Sequence, residues 1–213
     1  MGTVAPGDPA ELRLGNRATP ERVDRLREQL GLNDPLPIRY MRFIGNALKG
    51  DLGESYVFQG KTVTSLIGPR LLVSLQLNIA ASIVALSVGL PLGFYAAKRQ
   101  GTKTDPAILI SMLILYAMPV FFTAPFLILF FAVKLHWVPA SGWNGMFSTQ
   151  VILPALTIGI PGAAIFVRHM RASTLEVIGQ EYIRTAHAKG MSNFVINYRH
   201  VARNAFLPIL TLL

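Results

Sequence analysis

Along this chain, uncharged stretches alternate with polar, basic segments. Leu71–Ala97, Pro106–Val133 and Val151–Val167 contain no charged residue, and a shorter apolar run, Ala205–Leu213, ends the sequence. At ~1.5 Å of rise per residue the first two exceed the ~30 Å of a bilayer's hydrocarbon core, and the third sits near the lower limit of about 17 residues. The pattern predicts three full transmembrane helices, about 71–97, 106–133 and 151–167, and a partial span over 205–213. The expected fold class is an all-α polytopic membrane protein, a bundle of kinked transmembrane helices. Proline supplies the kinks: Pro91 in the first span, Pro119 and Pro125 in the second, Pro154 and Pro161 in the third. Each removes a backbone donor from its helix.

Two features of the spans point beyond simple insertion. Ser74, Gln76, Asn78, Ser82 and Ser87 recur at roughly helical spacing in the first span, which predicts a polar face turned toward protein or a pore rather than lipid. Gln76, Asn78 and the helix break expected at Pro119 are therefore the candidate translocation-path residues. Gly89-Leu-Pro-Leu-Gly93 places two glycines four apart, the spacing that lets two membrane helices approach closely.

Residues 1–70 have a different character, with ten Lys/Arg against eight Asp/Glu. Thr19, Pro20 and Glu21 form a cap, a first-turn proline and a first-turn acid. Val23, Leu26 and Leu30 then follow at helical spacing, and Gly31 stops the helix. A second helix is expected over Ile38, Met41, Phe43, Ile44 and Leu48, ending at Gly50. Tyr56–Phe58 and Thr62–Val63 are expected to pair as a small hairpin around Gln59-Gly60-Lys61.

Charge then orients the spans. The loop with Lys98, Arg99 and Lys103 holds one acid, Asp105, whereas Lys134–Gln150 has one lysine, no acid, and interfacial Trp137 and Trp143. From Arg168 to Asn204 six basic residues face two acids, Glu176 and Glu181. The positive-inside rule makes the first and last of these segments cytoplasmic. With three crossings, residues 1–70 are extracytoplasmic and 168–204 form a cytoplasmic loop.

Composition narrows the function. With 52% hydrophobic and 15% charged residues, and a mean hydropathy of +0.44, the chain has the composition of a protein solvated by a bilayer. The net charge of +9 does not indicate a nucleic-acid partner, because the basic residues flank apolar spans instead of forming one patch between aromatic platforms. Cysteine is absent, which removes disulfides, thiolate metal sites and a cysteine nucleophile. No glycine-rich phosphate loop with Lys-Ser/Thr occurs, so ATP is not bound by that means. His136, His169, His187 and His200 are scattered without metal-ligand spacing. No cofactor, metal or catalytic residue is expected. The spans also lack the buried acids and lysines of ion-coupled carriers, and no Ser/His/Asp set shares a face.

The most informative stretch is Gln180–Pro208. Glu181–Lys189 suits a helix, Ala186 and Ala188 give it a low-bulk face, and Gly190 stands where a C-terminal cap falls. A second helical pattern follows through Phe194, Ile196, Tyr198 and Val201. The order Glu181-Tyr182-Ile183-Arg184-Thr185-Ala186-x-Ala188-Lys189-Gly190, then His200-x-x-Arg203-Asn204-Ala205-x-x-Pro208, resembles the cytoplasmic EAA loop of ABC importer permeases. It is most similar to the dipeptide/oligopeptide/nickel branch. Thr185 replaces the Glu of the general motif and the proline falls later, both as in that branch; His187 stands where the branch usually carries Arg. Pro6-Gly7-Asp8-Pro9, Gly31-Leu32-x-x-Pro35-Leu36, Gly50-Asp51-Leu52-Gly53-x-Ser55 and Trp137-x-Pro139 with Gly142 extend the likeness over nearly the whole chain.

The resemblance implies a six-helix subunit of the cell (inner) membrane, of which this chain looks like a fragment. Residues 1–70 would follow a missing first helix, and 71–213 would form the permease core. It further implies a second permease subunit, two ATP-binding subunits and an extracytoplasmic solute-binding protein as partners. The substrate would be a peptide or related small solute. Glu181, Tyr182, Arg184, Thr185, Ala186, Lys189 and Gly190 would make the ATPase-coupling loop, with Ala186 and Gly190 permitting close approach and Arg184 and Lys189 facing ATPase acids. A channel or ion-coupled carrier working without ATPases, and a membrane enzyme, are the alternatives from other classes.

Overall fold

The computed structural model describes residues 8–15, 18–55, 57, 58 and 60–212. Among these the regular structure is helical, with one isolated antiparallel bridge between Glu54 and Thr62. The chain divides into two compact units, residues 1–72 and 73–213.

In the first unit, α1 (Pro9–Leu14), α2 (Pro20–Gln29) and α3 (Leu36–Ala47) each carry a proline at their start, where a missing N–H costs nothing. The Asp8 side chain accepts from the Ala10 amide at 2.9 Å and opens α1. The sequence pattern predicts no helix there. Thr19 precedes α2 in extended conformation but makes no side-chain capping bond. Gly31 and Gly50, with φ of 63° and 83°, turn the chain after α2 and α3. Ion pairs Arg13–Glu54, Arg27–Asp8 and Arg42–Asp34 join separate segments of this unit.

Among the described residues, Val57 and Phe58 do not pair with Thr62 and Val63 as the sequence predicts. Tyr56 and Gln59 lie outside the described residues, pairing is limited to the Glu54–Thr62 bridge, and Val63 already begins α4 (Val63–Lys98). Thr62 explains the difference: its Oγ1 accepts from the Ser65 amide at 3.2 Å, a capping bond that starts a helix where a strand is predicted.

α4 has 36 residues, about 54 Å at ~1.5 Å each, so it begins before Leu71 and has length to spare over a ~30 Å hydrocarbon core. It continues through Pro69 and Pro91 without a break. α5 (Thr104–Ala117) and α6 (Val120–Leu127) flank Met118-Pro119. Met118 is extended at φ −73°, ψ 123°, as the residue before a proline prefers. The helices on either side meet at 96°. α6 runs on into a π-helical segment, Ile128–Lys134.

α7 (Ile152–Ile178) passes straight through Pro161 and on beyond Val167, so Arg168–Ile178 extends the helix instead of entering a loop. α4 and α7 are each long and apolar enough to cross a membrane, and the bent α5–α6 pair qualifies if taken as one span. An all-α fold with helices suited to a multi-pass membrane protein follows.

The second unit is held together by close backbone approach. A Cβ added at Gly93 would lie 2.6 Å from the Val167 carbonyl oxygen, and one at Gly89 2.6 Å from Phe166 Cβ. Reciprocally, a Cβ at Gly159 of α7 would lie 2.6 Å from the Ala81 carbonyl of α4. Any larger side chain at these points would push the two helices apart. The glycine pair four apart thus makes the helix contact that its spacing predicts.

Candidate functional site

The segment after α7 turns at Gly179-Gln180 and forms α8 (Glu181–Ala188), then α9 (Asn193–Val195), a π-helical segment (Ile196–Ala202) and α10 (Arg203–Phe206), ending in a 3₁₀ turn at Leu207–Leu212. α8 ends in a two-bond glycine cap. The Gly190 amide donates to the His187 carbonyl at 2.9 Å and the Met191 amide to the Ala186 carbonyl at 3.3 Å. Gly190 takes φ 73° to allow it, a backbone state that costs glycine nothing. Ser192 then opens α9, its hydroxyl accepting from the Val195 amide at 3.4 Å.

α8 has two unlike faces. Ile183 and Ala186 are buried with Ile196 and Val201, and Phe94 of α4, Val177 and Ile178 of α7, and Met191 pack on the same cluster. Burying a side chain such as Ile183 contributes about 1.5–3 kcal/mol. Phe94 and Val177 also touch a second cluster, Met170, Ala205 and Ile209, so both helix ends share side chains with α8 and α10. The opposite face carries Glu181, Arg184, Thr185 and Ala188, all exposed, with Tyr182, His187, Lys189 and Gly190 exposed beside it.

Ala186, read from the sequence as a point of close approach to a partner, therefore spends its small size on its own subunit. The small residue on the outward face is Ala188, at the C-terminal end of α8. Among the expected loop residues Glu181, Tyr182, Arg184, Thr185, Lys189 and Gly190 share the exposed surface, and Ala186 is turned away from it. Arg184 pairs with Glu181 at 2.8 Å, but both side chains are largely exposed. Such a pair contributes only about 0.3–0.5 kcal/mol, which leaves the guanidinium free to exchange partners.

Three polar contacts join helices of this unit, the second of them tying the segment after α7 to α4, and the sequence reading assigns none of them. Arg171 of α7 donates from Nε and NH2 to the two carboxylate oxygens of Asp105 at 2.6 Å each, with Asp105 buried at the start of α5. Lys98, at the end of α4, donates to Asn197 Oδ1 at 2.9 Å. Asn204 donates to the Tyr182 hydroxyl at 3.1 Å. The one available signal is that Asp105 is the sole acid between Lys98 and Arg171, and a lone carboxylate among cations invites pairing.

The candidate path residues lie elsewhere. Gln76 is half-buried and Asn78 exposed on α4, and Asn78 donates its amide to its own helix at the Ser74 carbonyl, 2.9 Å away. Pro119 stands at the bend between α5 and α6. No hydrogen bond links these three among the described residues. Nor does any group of three His, Asp or Glu among the described residues have the arrangement to hold a metal ion.

Comparison with known proteins places this arrangement. Residues 89–213 match the model of the binding-protein-dependent transport system inner membrane component, and residues 1–74 match the N-terminal model of such membrane components. A probable peptide ABC transporter permease protein of Sinorhizobium fredii is 38% identical over 216 residues, covering 99% of this chain and 69% of its own. The oligopeptide transport system permease protein AppB of Bacillus subtilis is 36% identical over 217 residues, covering 98% and 69%. OppB of Escherichia coli, also an oligopeptide transport system permease protein, is 34% identical over 212 residues, covering 99% and 68%.

Proposed function

The chain belongs to the binding-protein-dependent transport system inner membrane component family, ABC-type permease subunits with a transport role and no catalysis of their own, and from that premise we propose that it forms part of the translocation path for peptides. In this reading it works within a six-helix subunit of the inner membrane, beside a second permease subunit, two ATP-binding subunits and an extracytoplasmic solute-binding protein. Residues 1–70 face the binding protein, Gln76, Asn78 and Pro119 border the path, and 168–204 lie in the cytoplasm. Peptide is the substrate class because the relatives named above are peptide or oligopeptide permeases.

One observation carries the coupling role: α8 seats an apolar face on side chains shared with the ends of α4 and α7 while its polar face stays open. A helix so placed passes displacement of its outer face to the membrane helices through packed side chains, which yield little. The ATPase fixes the direction of transport only if it contacts that face differently in its two states. Ala188, on the open face, leaves room for a groove wall; Arg184 and Lys189 offer charges to acids on the ATPase.

The test is to co-express the chain with its permease and ATP-binding partners and introduce Ala188→Arg. The expected result is loss of the ATP-binding subunits on purification, with the permease pair retained. If A188R keeps those subunits and transports peptide at the normal rate per ATP, α8 is not the coupling element. Solute flux without any ATP-binding subunit would return the channel or carrier reading.

A further inference from the structure

Asn204 lies outside the coupling helix, yet its side chain joins that helix to the one that follows. Its amide has two hydrogens, and both are used. One goes to the His200 carbonyl at 2.8 Å, the other to the Tyr182 hydroxyl at 3.1 Å, across 22 residues of sequence. His200 lies in the π-helical segment Ile196–Ala202, and the bond from Asn204, four residues on, is the same kind of side-chain bond that Asn78 makes to the Ser74 carbonyl in α4. Held in this way, the amide has little freedom to leave Tyr182.

The two ends of the bond are anchored differently. Tyr182 is 43% exposed and projects from α8, whose neighbours Ile183 and Ala186 are buried. Asn204 is followed at once by Ala205, 0% exposed, in the cluster with Met170 and Ile209. The bond therefore runs from the exposed side of α8 to a position next to the buried helical core.

We infer that Asn204 is a positioning residue that latches the coupling helix to the start of the following helix, so that α8 and α10 keep a constant separation through the transport cycle. The inference rests on the coupling role proposed for α8. The latch adds a second, directional tie to the apolar seat. Without it, α8 can rock on Ile183 and Ala186, and part of the ATPase stroke is lost before it reaches the membrane helices.

A double-mutant cycle tests this in the assembled transporter, read as peptide moved per ATP hydrolysed. Tyr182→Phe should lower that ratio about fivefold, the size of one net hydrogen bond, Asn204→Ala, which also removes the bond to His200, at least as much, and the double variant should be no worse than Asn204→Ala alone. The concentration of peptide-loaded binding protein giving half-maximal stimulation should stay unchanged, because the latch lies away from that docking side. The chain has no cysteine of its own, which permits a rescue: Y182C with N204C, joined by a short bifunctional thiol reagent, should recover transport per ATP.

Additive losses, no loss in either single variant, or a crosslink that fails to restore transport would each overturn the latch. Failure of the coupling role itself is recognised separately by A188R. If that variant releases the ATP-binding subunits while the latch losses add, the latch alone is wrong. If it keeps them and transports normally, the coupling role falls first.

Discussion

Where α4 crosses α7 the partners are backbone; where α8 meets its own subunit they are side chains. The first contact depends on Gly89, Gly93 and Gly159, each leaving no room for a Cβ. The second is an apolar cluster around Ile183, Ala186, Ile196 and Val201, supplemented by the Tyr182–Asn204 hydrogen bond. Lipid tails are as apolar as leucine, so helices within a membrane gain by close packing rather than by escape from water. Where water is available, burying isoleucine and valine is favourable and a polar bond can be directional. A backbone contact and a side-chain contact thus lie a few turns apart on the same helices.

The exposed surfaces show the same contrast. α4 buries 11% of its most apolar stretch and α7 44%, and Leu71, Leu72, Leu75, Ile79 and Ile83 of α4 stand in the open. An apolar surface of that extent calls for lipid or further membrane helices. The open face of α8 is polar.

Substitutions can break this contrast. The largest effect is expected at Gly93→Leu, where the new side chain meets the Val167 carbonyl and Met170 Cβ. Overpacking against backbone should cost about 3 kcal/mol, seen as a lower midpoint of denaturation in detergent. Ala186→Leu should cost about 2 kcal/mol by crowding Ile196 and Val201, while Ala188→Leu, two residues on, should change stability by under about 0.5 kcal/mol. Equal effects at 186 and 188 would mean that α8 is not seated as described. Gly190→Ala falls between Ala186→Leu and Ala188→Leu. At φ 73° a Cβ costs about 1 kcal/mol, loosening the cap and speeding amide exchange within α8 without unfolding the helices behind it.

Much of this architecture is legible in the residues themselves. Glycines four apart announce the α4–α7 contact, Gly190 announces the end of α8, and the uncharged stretches announce long apolar helices. Other features depend on neighbours remote in sequence. Ala186 and Ala188 are alike in composition but lie on opposite sides of α8, and packing against Ile196 and Val201 shows that the side shared by Ile183 and Ala186 is the one that turns inward. α7 extends past Val167 because Met170, Ser173 and Thr174 find buried positions on other helices, although the charges at Arg168 and Arg171 mark that stretch as a loop. Arg171 is accommodated there because Asp105 takes up its charge from 66 positions away. The π-helical segment has no composition of its own, so neither it nor the latch at Asn204 can be read from the chain.

The most direct measurement of the coupling role uses single cysteines in a chain that has none. One replaces Ala188 on the open face of α8, and the other replaces the exposed Ser141 in the loop between α6 and α7. Each assembled transporter is then tested in membranes for crosslinking to its ATP-binding subunits, with and without ATP. Crosslinking at position 188 alone, with a yield that changes with ATP, is the predicted result. Crosslinking at 141, or none at 188 while the ATP-binding subunits remain in the complex, would contradict both the topology and the assignment of α8.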